Sequence, residues 1–129
     1  MPNQIQRIVI KIGSKILTDA DGHFNEAVVE RLVKDIAYIK EKENVEVVLV
    51  SSGAVALGRE VKPLEKFEVE TSAIKYNKAI LKEQILAAVG QPRLMAFYCG
   101  EFKKYKLDCA QILATRAVFA DRQAYLSIR

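Results

Sequence analysis

The sequence has no tryptophan, a single histidine and only two cysteines in 129 residues, and each scarcity removes a class of function. His23 stands alone, so no HxxxH metal motif is possible. Cys99 and Cys109 have no CxxC spacing and lie in apolar stretches, which points to reduced thiols of a cytoplasmic protein instead of a disulfide or a metal site. No apolar run approaches the roughly 20 residues of a membrane span, and the opening MPNQIQ is polar, without the apolar core of a signal peptide. An excess of one charge is also missing. Twenty Lys and Arg against sixteen Asp and Glu give a net charge of +4, with the two signs interspersed, so no basic stripe for nucleic acid forms. The expectation is a soluble cytoplasmic chain, with neither a nucleic acid nor a membrane as partner.

Half of the residues are hydrophobic, enough for one compact domain and too few residues for two. Their spacing alternates between period two and period near 3.6. Arg7 to Ile12 reads as a strand, with Ile8, Ile10 and Ile12 on one face and Arg7, Val9 and Lys11 on the other. After the turn-rich TDADGHFN, Asn25 is placed to cap a helix with an apolar stripe of Val28, Val29, Leu32, Val33, Ile36 and Ile39, ending near Asn44. VEVVLV, Val45 to Val50, has the composition of a strand covered on both faces. AVALGRE opens a second helix that Pro63 ends or bends, and the charged piece from Lys62 to Glu70 reads as an exposed connection.

Thr71 or Ser72 then caps a helix to Val89, with Ile74, Leu81, Ile85 and Ala88 inward and Gly90 as its terminator. Pro92 starts another helix, whose Leu94, Met95, Tyr98, Phe102 and Tyr105 have core spacing and are not a base-stacking platform. Lys103, Lys104 and Lys106 fall at its end, where cations complement the helix dipole. A last strand spans Leu107 to Leu113, and Ala117 to Ile128 is helical. Strands alternating with helices imply an α/β three-layer sandwich with a mainly parallel sheet.

In such sheets ligands gather beyond the carboxyl ends of the strands. Three places qualify: Gly13-Ser14, Ser51-Ser52-Gly53-Ala54 and Thr115-Arg116, all expected along one edge. Glycine beside small hydroxyl residues lets backbone N–H groups approach an anion, and the same dipeptides also serve as ordinary turns. Lys11 likewise has two readings. It is a half-exposed strand lysine with its stem on apolar neighbours, or an ammonium leaning over a phosphate held two residues further on. Without a Walker sequence or GxGxxG, these residues alone reach an anion-binding α/β domain.

The segments IVIKIGSKIL, EVVLVSSGAVALGRE, QILAAVGQPRLM and QILATR with DRQAYL are more specific. In this order and spacing the chain resembles, over nearly its whole length, the amino acid kinase family in its glutamate-phosphorylating branch. The resemblance implies phosphoryl transfer from ATP, with Mg2+, to the side-chain carboxylate of L-glutamate, the first step of proline synthesis. It implies that Lys11 is catalytic and binds the ATP phosphates with Gly13 and Ser14, and that Ser52, Gly53 and Ala54 bind glutamate. No metal ligand is assigned within the chain. Lys15, Glu83 and Ser127-Ile128 depart from the family pattern.

The family's further ligands and its nucleotide-binding region have no counterpart before Arg129. Residues 1–129 are accordingly expected to be the N-terminal, glutamate-binding part of a kinase domain, truncated, inactive alone and prone to form homo-oligomers through an open sheet edge. A non-catalytic amino-acid or nucleotide sensor, or an interaction fragment using that edge, is the alternative.

Overall fold

The computed structural model describes residues 7–68 and 77–128. Its sheet contains two parallel strands, β1 (Arg7–Ile12) and β2 (Glu46–Ser51), in register from Arg7 opposite Glu46 to Ile12 opposite Ser51. Parallel strands need a crossover, and α2 (Glu26–Glu43) supplies it. Asn25 accepts a hydrogen bond from the Val28 N–H at 3.3 Å, and Asn44 takes the left-handed conformation (φ 50°) to end the helix, as its sequence predicts. The stripe of α2 buries Val29, Val33 and Ile36. Val29, Val33 and Leu17 are wholly inaccessible, each contributing roughly 1.5–3 kcal/mol of burial.

The short α1 (Ser14–Leu17) follows β1 directly and drops Leu17 into the core. A turn then returns the chain to Phe24, which bridges Thr18 and packs edge-on against Phe97 at 5.6 Å. After β2 come α3 (Ala54–Arg59) and α4 (Lys62–Glu65). Pro63 lies in the first turn of α4, where its missing N–H costs nothing, so the expected irregular connection carries one turn of helix.

The long α5 (Lys78–Lys104) corrects the expectation of two helices. Gly90 does not terminate a helix; it is buried where α5 crosses α3, and a Cβ built on it would fall inside the carbonyl of Ala54. Pro92 lies within the same uninterrupted helix. The buried row is Leu86, Gly90, Leu94, Tyr98 and Phe102, a run at spacing four that forms one ridge. Ala88 and Tyr105, expected inside, are exposed because they lie off that ridge. Asn77 caps α5 by accepting from the Ala79 N–H at 3.0 Å. The proposed caps Thr71 and Ser72, and Ile74 of the expected stripe, lie outside the described residues. Lys103 and Lys104 do occupy the last turn, Lys104 pairing with the buried Glu101 at 2.6 Å.

Two further expectations are corrected. β2 is covered on one face only: Val47 and Leu49 pack on the core, while Val48 and Val50 are 42% and 48% exposed. Among the described residues all packing helices lie on the face of Ile8, Ile10 and Ile12, leaving Arg7, Val9 and Lys11 open. Leu107 to Leu113 is not a strand, because no described strand pairs with it. The expected terminal helix is α6 (Arg116–Ala120) and α7 (Arg122–Ile128), neither with a buried residue. The α/β character and the parallel pairing agree with the sequence.

Candidate functional site

Parallel register brings the carboxyl ends of β1 and β2 side by side, so the two glycine-containing turns that follow them start from adjacent points. The Ser52 N–H donates to the Ile12 carbonyl at 3.2 Å and ties the turns together. Between them opens a cavity of about 540 Å³ whose wall includes Ser14, Ser52, Gly53 and Ala54, with Lys15, Arg59 and Glu83 as its charged members. That volume suits a small metabolite.

Lys11 and Gly13 adjoin this wall without forming it. The Lys11 ammonium lies 3.5 Å from the position a Cβ would take on Gly13. The missing side chain therefore leaves open the space in front of the cation, beside Ser14. Among the described residues Lys11, Lys15 and Arg59 form no ion pair, so at this end of the sheet three cations stand against the one wall carboxylate, Glu83.

The second turn is held by the α3–α5 crossing. Gly53 has φ 111°, which only glycine adopts without strain, and a Cβ there would meet Phe24 at 3.1 Å. A Cβ on Gly58 would likewise land on the carbonyl of Leu86, so the two helices touch backbone to backbone. The first turn of α3 begins at Ala54, where N–H groups lack intrahelical acceptors.

Sequence reasoning did not reach several residues of this region. The Tyr98 hydroxyl and Ser51 Oγ share a hydrogen bond at 2.7 Å, and Ser51 Oγ also donates to the Ser52 carbonyl at 2.8 Å. Tyr98 was legible as a core residue, but helical spacing does not say where its hydroxyl ends. Burial pushes the Tyr98 phenol above its ordinary 10.0, and the Ser51 hydrogen bond pulls it partly back. Glu60 is a second such brace, accepting from the Phe24 N–H at 2.7 Å. Arg59 and Thr18 also reach the cavity wall without a sequence signal.

The third expected place, Thr115-Arg116, is not brought to the cavity. The segment before it joins no sheet, so nothing aligns its end with β1 and β2. His23 lies 3.8 Å from Asp19, with Asp21 near both, all three exposed. Asp19 Oδ1 already accepts the N–H groups of Asp21 and His23, which is the work of a turn. No helix among the described residues is long and apolar enough to cross a membrane.

Comparison with known proteins places residues 6–128 in a match to the amino acid kinase family. The chain is 39% identical over 126 residues to a glutamate 5-kinase of Pelobacter propionicus, covering 98% of this chain and 31% of that protein. It is 41% identical over 127 residues to a glutamate 5-kinase of Desulfotalea psychrophila, with the same coverage. Against glutamate 5-kinase 1 of Bacillus subtilis it is 40% identical over 123 residues, 93% of this chain and 30% of the relative. The chain thus spans about a third of the length of the curated relatives it matches.

Proposed function

The chain belongs to the amino acid kinase family, and from that premise we propose that residues 1–129 form the glutamate-binding part of an ATP-dependent kinase acting on the L-glutamate side chain, the first step of proline synthesis. The observation that carries the reading is the Lys11 ammonium standing over the empty side-chain position of Gly13, next to a cavity walled by Ser14, Ser52, Gly53 and Ala54.

The chemistry needs little beyond charge and position. A glutamate side chain has a pKa near 4.3 and is ionised at neutral pH, so no general base is required. Its carboxylate oxygen forms a bond to the γ-phosphorus of ATP as the bond to the β,γ-bridging oxygen breaks, giving glutamyl 5-phosphate and ADP. The obstacle is the meeting of two anions, which a lysine and N–H donors relieve. In this reading Lys11 neutralises charge on the phosphoryl group, Gly13 and Ser14 let it approach, and Ser52 with the Gly53-Ala54 backbone holds glutamate. One charged hydrogen bond is worth about 1.5–3 kcal/mol, against a barrier reduction of roughly 8 kcal/mol or more for an enzyme. Lys11 therefore shares the task with other groups.

The residues fit a phosphate better than a metal. Glu83 is the one carboxylate on the described cavity wall, so Mg2+ enters here as a companion of the ATP phosphates. We also read the chain as part of a homo-oligomer and of the cytoplasm; the exposed Val9, Val48 and Val50 of the open sheet face support self-association, which sedimentation equilibrium checks.

The test is acceptor specificity in the gene product at its natural length. With MgATP, hydroxylamine should trap an acyl phosphate as the hydroxamate when L-glutamate is supplied. A protein that forms no hydroxamate from L-glutamate, or forms as much from L-aspartate, contradicts the proposal.

A further inference from the structure

The chain reversal after α5 gives Cys99 and Cys109 the proximity that their spacing in the sequence withholds. The N–H groups of Tyr105 and Leu107 both donate to the Phe102 carbonyl, at 3.0 and 3.1 Å, and Lys106 takes φ 58°. The chain then runs back along the helix. Burial alternates on the return: Leu107 and Cys109 are half-buried against the core cluster of Tyr98 and Phe102, while Asp108 and Ala110 are exposed. Helix rise is about 1.5 Å per residue, so Cys99 lies about 9 Å back from Tyr105 along the axis. An extended return gains about 3.3 Å per residue, and Cys109 recovers about 10 Å from Lys106. The two residues are therefore level along the helix axis, which sets the Cys109 side chain beside that of Cys99. Both are free, Cys99 exposed and Cys109 half-buried. Burial, with the Cys99 thiol beside it, pushes the Cys109 thiol up to about 11.

We propose that Cys99 and Cys109 are a redox pair that closes a reversible intrachain disulfide by exchange with a low-molecular-weight disulfide of the glutathione class. The exposed Cys99, as thiolate, attacks one sulfur of the small disulfide, forming a mixed disulfide and releasing one small thiolate. Cys109 gives up its proton to solvent and attacks the Cys99 sulfur, expelling the second small thiolate. Two protein thiols are oxidised to one disulfide, and one small disulfide is reduced to two thiols. The bridge fastens the return segment to α5 one residue from Tyr98, whose hydroxyl holds Ser51 at the cavity.

The loop between the cysteines contains Lys103, Lys104 and Lys106, which makes the test direct. The chain is incubated with oxidised glutathione, its remaining thiols are alkylated, and it is digested with trypsin without reduction. The expected product is a peptide pair joined through Cys99 and Cys109, about tenfold in excess over chains carrying glutathione on both cysteines, since the intramolecular thiol competes at a high effective concentration. The exposed-site variant Cys99→Ser should show no joined pair. Two separate glutathione adducts, disulfide-linked dimers, or thiols that stay unmodified would each overturn the proposal.

Discussion

Replacing Gly90 by alanine tests how the second turn of the site is held. In an exposed helix this change stabilises, because alanine exceeds glycine in helix propensity by about 0.8–1.0 kcal/mol. At the crossing of α5 with α3 the sign reverses. The added methyl falls inside the Ala54 carbonyl and stands 2.7 Å from the Gly58 nitrogen, where ordinary contact begins at 3.4 Å. Relieving even the milder contact parts the helices by about 0.7 Å, and a gap of that size forfeits roughly a quarter to a half of the dispersion energy across it. Overpacking costs typically about 1–3 kcal/mol. Here the opposing atoms are backbone and have no rotamer to move into, which favours the upper end of that range. The net expectation is a loss of about 2 kcal/mol in urea unfolding with an unchanged m-value. Gly100 lies on the same helix with nothing within 4 Å of its built Cβ, so Gly100→Ala should gain up to about 1 kcal/mol. Gly90→Ala as stable as Gly100→Ala would refute the crossing and the support it gives to Ala54.

Three further changes read separate parts of the structure. Tyr98→Phe removes the bond to Ser51 and should cost about 1 kcal/mol at pH 7. The buried neutral phenol contributes stability that is whole below pH 10.0 and lost as pH rises through its raised folded pKa, so the gap between wild type and variant in denaturant midpoint should narrow in alkali; a constant gap would contradict the burial. Asn25→Ala leaves the Val28 N–H uncapped and should lower unfolding free energy by about 1 kcal/mol; no change in the urea midpoint would deny the cap. Ser52→Ala in the full-length gene product should raise KM for glutamate while leaving that for ATP near its starting value, and the opposite pattern would reassign the second turn to the nucleotide.

The first half of the chain was legible because local signals and tertiary demands agree there. Asn25 and Asn44 cap the helix they bracket, and the isoleucines of β1 alternate as the core requires. In α5 the signals conflict. Gly90 and Pro92 are punctuation by local rules, but the glycine is present for the close approach of α3, and packing overrides the break. The β-branched run of β2 indicates two covered faces, and a single sequence cannot say which other chain segment would cover the second. The same limit applies to Leu107 to Leu113, a strand by composition that has no described partner. In the site, residue types and strand ends identified Lys11, Gly13, Ser14 and the Ser52-Gly53-Ala54 turn as candidates. The Tyr98–Ser51 bond and the reach of Arg59 depend on helices crossing in space, and no spacing rule encodes that.

The account turns on the charge that Lys11 presents over Gly13. Glutamate-dependent release of ADP by the gene product at its natural length, compared between wild type and Lys11→Ala, measures its worth most directly. Removing one preorganised donor from a developing charge costs roughly 100- to 1,000-fold in kcat, and a loss of that order, with the variant still folded by circular dichroism, is the expected result. A folded Lys11→Ala protein that keeps the wild-type kcat would contradict it.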